Sequence, residues 1–288
     1  MPRSSTIAAA GHAQRYSPRP LTAGERWTAE ALGDLRRRRY RPGAWVAFLR
    51  SSLERSRISR SQRPELARQA AVWGVAGGAA WSAACGVARR RSNLDPPVFA
   101  WLAWWLAVWR MLDWHLGMAE GGDGRARPRL SPADAITLSR FWLVPALPAV
   151  ARDGALLPAV LVLGGATDRL DGAVARRHGR TRLGRDLDTT ADLAFLTVAA
   201  LSAHRAGRLT RPARAALLAR HGIGLGLSLG AVFGRARRPA IRVRPWGAVL
   251  RVAGLAIAAA GRPRLGTWLL VAGCLVPPRS TMPFLSPA

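Results

Sequence analysis

The chain has 288 residues and a formal charge of +28, carried by 44 basic residues, all of them arginine, against 16 acidic ones. Apolar residues, 49% of the total, gather in blocks of roughly 16 to 22 separated by short arginine-rich connectors, the length that crosses a bilayer core of about 30 Å as a helix. This argues against a soluble chain, and because the arginines flank apolar blocks instead of lining one polar face, it argues against a nucleic-acid partner as well. Cys85 and Cys274 lie in separate blocks without CxxC spacing, which indicates neither a disulfide framework nor a zinc site.

Residues 1–68 form a basic N-terminal region rich in Arg, Ser and Ala with no block long enough to span. Its first residues lack a continuous apolar stretch, so no cleavable signal peptide is expected. From Arg41 to Arg60, Trp45, Phe48, Leu49 and Leu53 recur at near-helical spacing among arginines. That fits a helix lying in the headgroup region or, equally, a flexible basic tail.

Residues 69–118 hold two candidate transmembrane helices, Gln69–Ala88 and Pro97–Met118; the second pairs Arg110 with Asp113 one turn apart and is rich in tryptophan. His115 reads as an interfacial polar residue, not a ligand. In residues 119–288 six further blocks follow, at about 132–150, 155–174, 187–204, 212–233, 245–260 and 264–277. The expected fold is therefore an all-α integral membrane protein, a six-helix transmembrane core preceded by two extra transmembrane helices and the basic N-terminal region. With eight spans both termini share a side, and arginine bias makes that side, with the loops around Arg180 and Arg238, cytoplasmic.

The stretch from Asp168 to Asp192, DRLDGAVARRHGRTRLGRDLDTTAD, concentrates acids where a bilayer makes them costly and marks a functional site. A spacing of three puts Asp168 and Asp171 on one helix face, and a spacing of four does the same for Asp188 and Asp192 on the next helix. Converging carboxylates repel unless cations intervene, and Mg²⁺ or Mn²⁺ prefers such oxygen ligands. Gly172, Ala175 and Gly184 keep bulk away from the pocket. Arg176 adds a planar cationic fork suited to phosphate. The residues alone point to metal-assisted chemistry on a phosphate or diphosphate at a membrane surface. Asp186 faces away and reads as a solvated or arginine-paired charge.

The run Asp168-x-x-Asp171-Gly172-x-x-Ala175-Arg176, then Gly184-x-x-x-Asp188-x-x-x-Asp192, resembles the signature of the CDP-alcohol phosphatidyltransferases. Upstream, Ser131 to Pro145 is similar to that family's first-helix pattern, with Pro132, Thr137 and Arg140 in place and Asp134 where Asn is common. The interval between Arg176 and Gly184, residues 177–183, is one shorter than the usual pattern. The resemblance implies Asp168, Asp171, Asp188 and Asp192 as ligands of Mg²⁺ or Mn²⁺, two ions, with Asp192 also the catalytic base. It assigns Gly172, Ala175, Arg176, Gly184, Thr137 and Arg140 to the CDP moiety. The implied reaction is attack of an acceptor hydroxyl on the lipid-bearing phosphate of a CDP-lipid such as CDP-diacylglycerol, with loss of CMP.

Arg242, Arg244 and Arg251, between the fourth and fifth blocks of the core, are candidates for a phosphate on the acceptor, glycerol 3-phosphate or inositol phosphate. Pro245-Trp246-Gly247 resembles phosphatidylglycerophosphate synthases, which favours glycerol 3-phosphate. The same arginines also fit a solvated positive-inside loop. Membrane lipids are expected partners. A homodimer is compatible with the glycine-rich block His221–Gly234, although its glycines suit packing inside one chain equally. Two other readings remain at this level: a polyprenyl transferase, which would release diphosphate, and a non-catalytic membrane protein with a relic or divalent-ion-sensing site.

Overall fold

A computed structural model describes residues 22–92, 98–121, 123–179, 181–233, 241–242, 245–277 and 279–280. Eleven helices are found there, with a single pair of two-residue antiparallel strands, β1 (Ile241–Arg242) and β2 (Arg279–Ser280). Helix α1 (Ala23–Arg37) starts from a capping box between Thr22 and Glu25, and α2 (Pro42–Gln62) starts on a proline at its first turn. Then come α3 (Pro64–Ser92) and α4 (Val98–His115), which ends in a 3-10 turn, Leu116–Met118. A short hairpin follows, closed by the Arg127 N–H on the Ala119 carbonyl (2.7 Å).

The remaining helices are α5 (Pro132–Leu143), α6 (Ala146–Ala149), α7 (Leu156–His178), α8 (Arg182–Arg205), α9 (Arg211–Phe233), α10 (Pro245–Ala259) and α11 (Pro263–Leu275). The apolar block at 132–150 is thus two helices. Val144 keeps helical angles (φ −57°, ψ −51°), but Pro145 has no backbone N–H to give to the Phe141 carbonyl, which accepts from Trp104 Nε1 instead (3.2 Å), so α5 stops and α6 restarts. Helix α7 ends at Gly179, whose φ of 86° lies in the left-handed region where glycine carries no steric penalty.

Two apolar clusters hold the helices together. One joins Leu157 and Leu161 of α7, Phe195 and Ala199 of α8, Leu217 of α9, Leu255 of α10 and Leu270 of α11. The other packs Leu66 and Trp73 of α3 and Leu112 of α4 against Phe141 of α5 and Leu187 of α8. Helices α10 and α11 meet along glycines: a Cβ on Gly254 would stand 2.5 Å from the Leu270 nitrogen, and one on Gly266 would stand 2.5 Å from Ala258 Cβ. Small residues let these two backbones touch. The α9 glycines behave differently, since no heavy atom of the described residues lies within 4 Å of a Cβ placed on Gly222, Gly224, Gly226 or Gly230. That stripe does not pack inside the described chain.

Among the described residues no helix is long and apolar enough to cross a membrane. The eight expected spans are therefore not met by length and hydropathy. Two reasons are visible: α10 and α11 have only 15 and 13 residues, and α7 and α8 carry the aspartates and arginines of the signature stretch within their lengths.

Candidate active site

The site is built where α5, α7 and α8 converge. Asp168 and Asp171 lie one turn apart in the C-terminal half of α7, and Asp188 and Asp192 one turn apart in the N-terminal half of α8. One carboxylate oxygen from each of Asp168, Asp171 and Asp188 lies within 4.8 Å of the others. The i,i+3 and i,i+4 spacings bring the pairs onto facing surfaces.

A cation from α5 occupies the middle of this group. Arg140, 1% exposed, directs one terminal nitrogen to Asp188 Oδ1 (2.9 Å) and Asp192 Oδ1 (2.5 Å), and the other to Asp171 Oδ2 (2.7 Å) and Asp168 Oδ1 (3.6 Å). Thr137, one turn earlier on α5, donates its hydroxyl to Asp171 Oδ2 at 2.8 Å. Four carboxylates would repel one another, and a planar guanidinium with several fixed donors spans them as a lysine would not. Sequence reasoning gave Thr137 and Arg140 to the nucleotide; their side chains are instead directed into the carboxylate cluster.

The carboxylate triad offers hard oxygen donors at a spacing that fits one divalent ion of the Mg²⁺ or Mn²⁺ class. Asp192 stands outside the triad and joins it through Arg140.

Gly172 opens the site, because a Cβ there would meet nothing nearer than the Arg176 guanidinium at 3.4 Å. Arg176 is exposed and has no ion pair among the described residues. Ala175, between them, is half-buried.

Gly184 answers a different need. A Cβ on it would overlap Asp134 Oδ1, so glycine is required for α8 to start against α5. Asp134, buried, accepts from the Thr181 hydroxyl (2.5 Å) and from the Ser131 N–H (3.1 Å). Thr181 in turn caps α8 by accepting from the Gly184 N–H at 2.9 Å. The cap residues of both helices thus share one hydrogen-bonded corner, which sets how the two aspartate pairs face each other. The S-x-x-D spacing of Ser131 and Asp134 is the sequence signal for that corner.

A second brace comes from outside the core. Gly121 bridges Thr181, and the Arg182 N–H donates to the Glu120 carbonyl at 2.9 Å. Glu120, 4% exposed, reaches with its carboxylate to the Gly24 N–H at the start of α1 (3.0 Å), while Arg182 faces Glu25 at 3.7 Å. Burial pushes the Arg55 and Arg63 guanidiniums below their ordinary range, and the nearby Glu120 charge opposes that shift. The turn between α7 and α8 is therefore held by the N-terminal extension. Nothing in the sequence outside the turn residues around Gly121 and Gly124 signals this.

Of the acceptor candidates, Arg251 of α10 is buried, donates Nη1 to the Gly273 carbonyl at 3.1 Å and leaves Nε without a hydrogen bond among the described residues. It lies within electrostatic reach of Asp168 and Asp192. Arg242 sits in β1 opposite Arg279; Arg244, like Arg180 and Arg238, lies outside the described residues. Asp186 is arginine-paired, 3.4 Å from both Arg182 and Arg185. His221 contacts Thr197 (3.1 Å), and His115 contacts the Met111 carbonyl (2.7 Å). Both lie away from the aspartates in sequence and touch none of them.

The profile of the family described as CDP-alcohol phosphatidyltransferase matches residues 130–277, the segment that contains α5 to α11 and every aspartate of the site. The chain belongs to this family. A CDP-alcohol phosphatidyltransferase is a phosphotransferase that moves a phosphatidyl group from a CDP-alcohol to an alcohol acceptor, and the family is typically dependent on a divalent metal. No curated protein and no solved structure matches the chain significantly. In this phosphatidyltransferase α1 to α4 and the hairpin lie outside the matched segment, so the brace on the α7–α8 turn is an addition to the family domain.

Proposed function

We propose that this phosphatidyltransferase transfers the phosphatidyl group of CDP-diacylglycerol to glycerol 3-phosphate, releasing CMP, at the cytoplasmic face of a membrane in which its helices are embedded. The observation that carries the reaction is the triad Asp168, Asp171 and Asp188 within 4.8 Å, backed by Arg140 and joined through it to Asp192. The triad would hold Mg²⁺ or Mn²⁺, with Asp192 contributing to a second ion. The bound metal supplies charge stabilisation for the diphosphate and its CMP leaving group.

The residues of the chain do the rest. Arg176 pairs with phosphate of the incoming nucleotide, and the open surface at Gly172, with Ala175 beside it, admits the nucleotide close to the α7 backbone. Asp192 has one oxygen held by Arg140 and a side chain 43% exposed, so the second oxygen is available to take the proton of the acceptor hydroxyl. A bond forms from the acceptor's hydroxyl oxygen to the lipid-bearing phosphorus, the phosphorus–oxygen bond to CMP breaks, and the hydroxyl proton ends on Asp192. The position of Arg251 supports an acceptor that carries its own phosphate, with Arg242 and Arg244 on the same connection.

Embedding in lipid is supported by the family, which is membrane-associated in general, and by apolar side chains turned outward from the helices. Val162, Ile223, Trp246 and Trp268 are 58%, 65%, 72% and 74% exposed. Exposed apolar surface on this scale calls for a lipid or protein cover. The unpacked glycine stripe of α9 suits a homodimer contact. The functional test offers the purified protein labelled CDP-diacylglycerol with glycerol 3-phosphate, inositol phosphate, serine or phosphatidylglycerol in parallel. Product with glycerol 3-phosphate is expected, and product only with another acceptor rejects the choice.

A further inference from the structure

Helix α2 carries its polarity in reverse. Its buried residues are Ala44, Ser52, Ser56 and Ser59, whereas Trp45, Val46, Leu49 and Ile58 are exposed. The cause lies beneath it. Asp113 of α4 is 3% exposed and accepts from the Ser56 hydroxyl at 2.6 Å, with Arg60 and Arg110 completing its shell at 3.1 and 3.3 Å. A buried carboxylate needs donors; Ser56 supplies one, so the face that carries it, with Ser52 and Ser59 a turn to either side, turns inward and the apolar residues beside it are left outside. Trp45, Leu49 and Leu53 follow one another at four-residue spacing along one flank, with Arg50 and Arg57 on the adjacent one.

The contacts of α2 fix where this face lies. Trp45 and Tyr40 pack on Phe233 at the C-terminal end of α9, with ring centroids 5.7 and 6.4 Å away, and the Tyr40 hydroxyl donates to the Phe233 carbonyl. Ser56 reaches the C-terminal part of α4, and α1 reaches the hairpin that holds the start of α8. Helix α2 therefore lies across the ends of the helices on the side that carries the aspartates. The corner before it holds Arg36, Arg37, Arg38, Arg39 and Arg41, with Arg39 and Tyr40 both left-handed (φ 51° and 55°). Asp34 takes Arg37 and Arg38 at 3.5 and 3.0 Å. The side chains of Arg39, Arg41 and Arg50 have no partner among the described residues.

We propose that the α1–α2 corner and the outer face of α2 form a docking surface for the anionic phospholipids of the bilayer. Arg39, Arg41 and Arg50 pair with lipid phosphates, and Trp45, Val46 and Leu49 enter the boundary between headgroups and acyl chains. The proposal rests on the reading that the helices are embedded in lipid. A nucleic acid would use the arginines but would leave the apolar flank uncovered; a bilayer surface satisfies both. The surface gathers anionic lipid at the end of the molecule where an anionic liponucleotide must arrive.

The full chain, with Cys85→Ser and Cys274→Ser, is spin-labelled singly through Leu49→Cys, Glu54→Cys or Val162→Cys and reconstituted in nanodiscs of phosphatidylglycerol or phosphatidylcholine. Collision with oxygen, enriched in lipid, is compared with collision with a water-soluble nickel chelate. In phosphatidylglycerol the oxygen-to-nickel ratio at Leu49 is expected to be several-fold above that at Glu54 and to approach that at Val162. It should fall in phosphatidylcholine and in the triple variant Arg39→Gln, Arg41→Gln, Arg50→Gln. A lipid-like Val162 with a water-like Leu49 overturns this proposal alone, while water-like values at both overturn the embedded reading itself. Shielding of Leu49 from both reagents shows a protein segment covering the face, and shielding that appears only with an added oligonucleotide shows nucleic acid; either result also overturns it.

Discussion

Replacing Gly184 by Ala puts a methyl group where the Asp134 carboxylate already lies. Asp134 has little freedom to retreat, since it is 1% exposed and is held by the Thr181 hydroxyl and the Ser131 N–H. If α8 yields, the overpacking costs about 1–3 kcal/mol. If Asp134 yields instead, a buried hydrogen-bonding group is left unsatisfied, at a similar ~1–3 kcal/mol. In the first case the start of α8 shifts relative to α5 directly; in the second the Thr181 cap loses its tie to Asp134 and the start of α8 is freed to shift, so in both the placement of Asp188 and Asp192 is disturbed. Misplacement on the order of 1 Å costs about 10²-fold in rate. Thermal unfolding and CMP release, measured on the same purified Gly184→Ala protein, should therefore both fall. Adding Asp134→Ala removes the colliding atoms and should return part of the lost turnover. The contrast is Gly172→Ala, where only the mobile end of Arg176 is near. There stability should hold or rise by up to about 1 kcal/mol, as expected for Ala in a helix, while the KM for CDP-lipid increases. Wild-type unfolding and turnover in Gly184→Ala would refute the shared corner.

Asp168→Asn, Asp171→Asn and Asp188→Asn should each raise the Mg²⁺ concentration needed for half activity and remove most transfer; a metal titration of CMP release checks this. Asp192→Asn should lower kcat by about 10²–10⁴-fold with CDP-lipid binding retained, and wild-type turnover there would remove the base assignment. Arg140→Gln should abolish transfer while Arg140→Lys restores only a fraction, because a point charge cannot reach all four carboxylates at once; equal activity of the two variants would contradict the spanning role. Glu120→Ala should cost about 1–3 kcal/mol of stability through the orphaned Gly24 N–H and raise the KM for CDP-lipid through the α7–α8 turn. Glu120→Gln, which keeps an acceptor, should rescue both readings.

The aspartate site was legible because its information is local. Asp168 and Asp171, and Asp188 and Asp192, need only the helical period to fall on facing surfaces, and Gly172 and Arg176 follow Asp171 closely on the same helix. Arg140 was found in the sequence but placed on the nucleotide, since no spacing rule links it to carboxylates 28 to 52 residues away. Its burial beneath them is a property of how α5 crosses α7 and α8. Gly184 was read as leaving room for a ligand, yet the room is filled by Asp134, a contact between helix starts that only the fold reveals. The apolar blocks at 155–174 and 187–204 overlap α7 and α8, but their charges keep those helices from passing as spans.

Helix α2 shows the limit of pattern reading most clearly. Trp45, Phe48, Leu49 and Leu53 look like one face, and hydropathy would turn that face to the core or to lipid without deciding which. The choice is made by Asp113, a single buried carboxylate on another helix that takes Ser56 and Arg60 of α2 as donors. The brace through Glu120 and Arg182 was equally invisible, because it joins the α7–α8 turn to the hairpin by a backbone bond and the hairpin to α1 by the Glu120 carboxylate, 96 residues from Gly24.

The central claim is that the Asp168, Asp171, Asp188 and Asp192 constellation catalyses metal-dependent cleavage of a CDP-lipid. Its most direct test is CMP release from CDP-diacylglycerol by the purified full chain, with glycerol 3-phosphate present, as Mg²⁺ or Mn²⁺ is added and then removed by chelation. The account predicts release that requires the metal, stops on chelation, returns when metal is restored and is lost in Asp168→Asn; metal-independent release, or equal release from Asp168→Asn and the wild type, would contradict it.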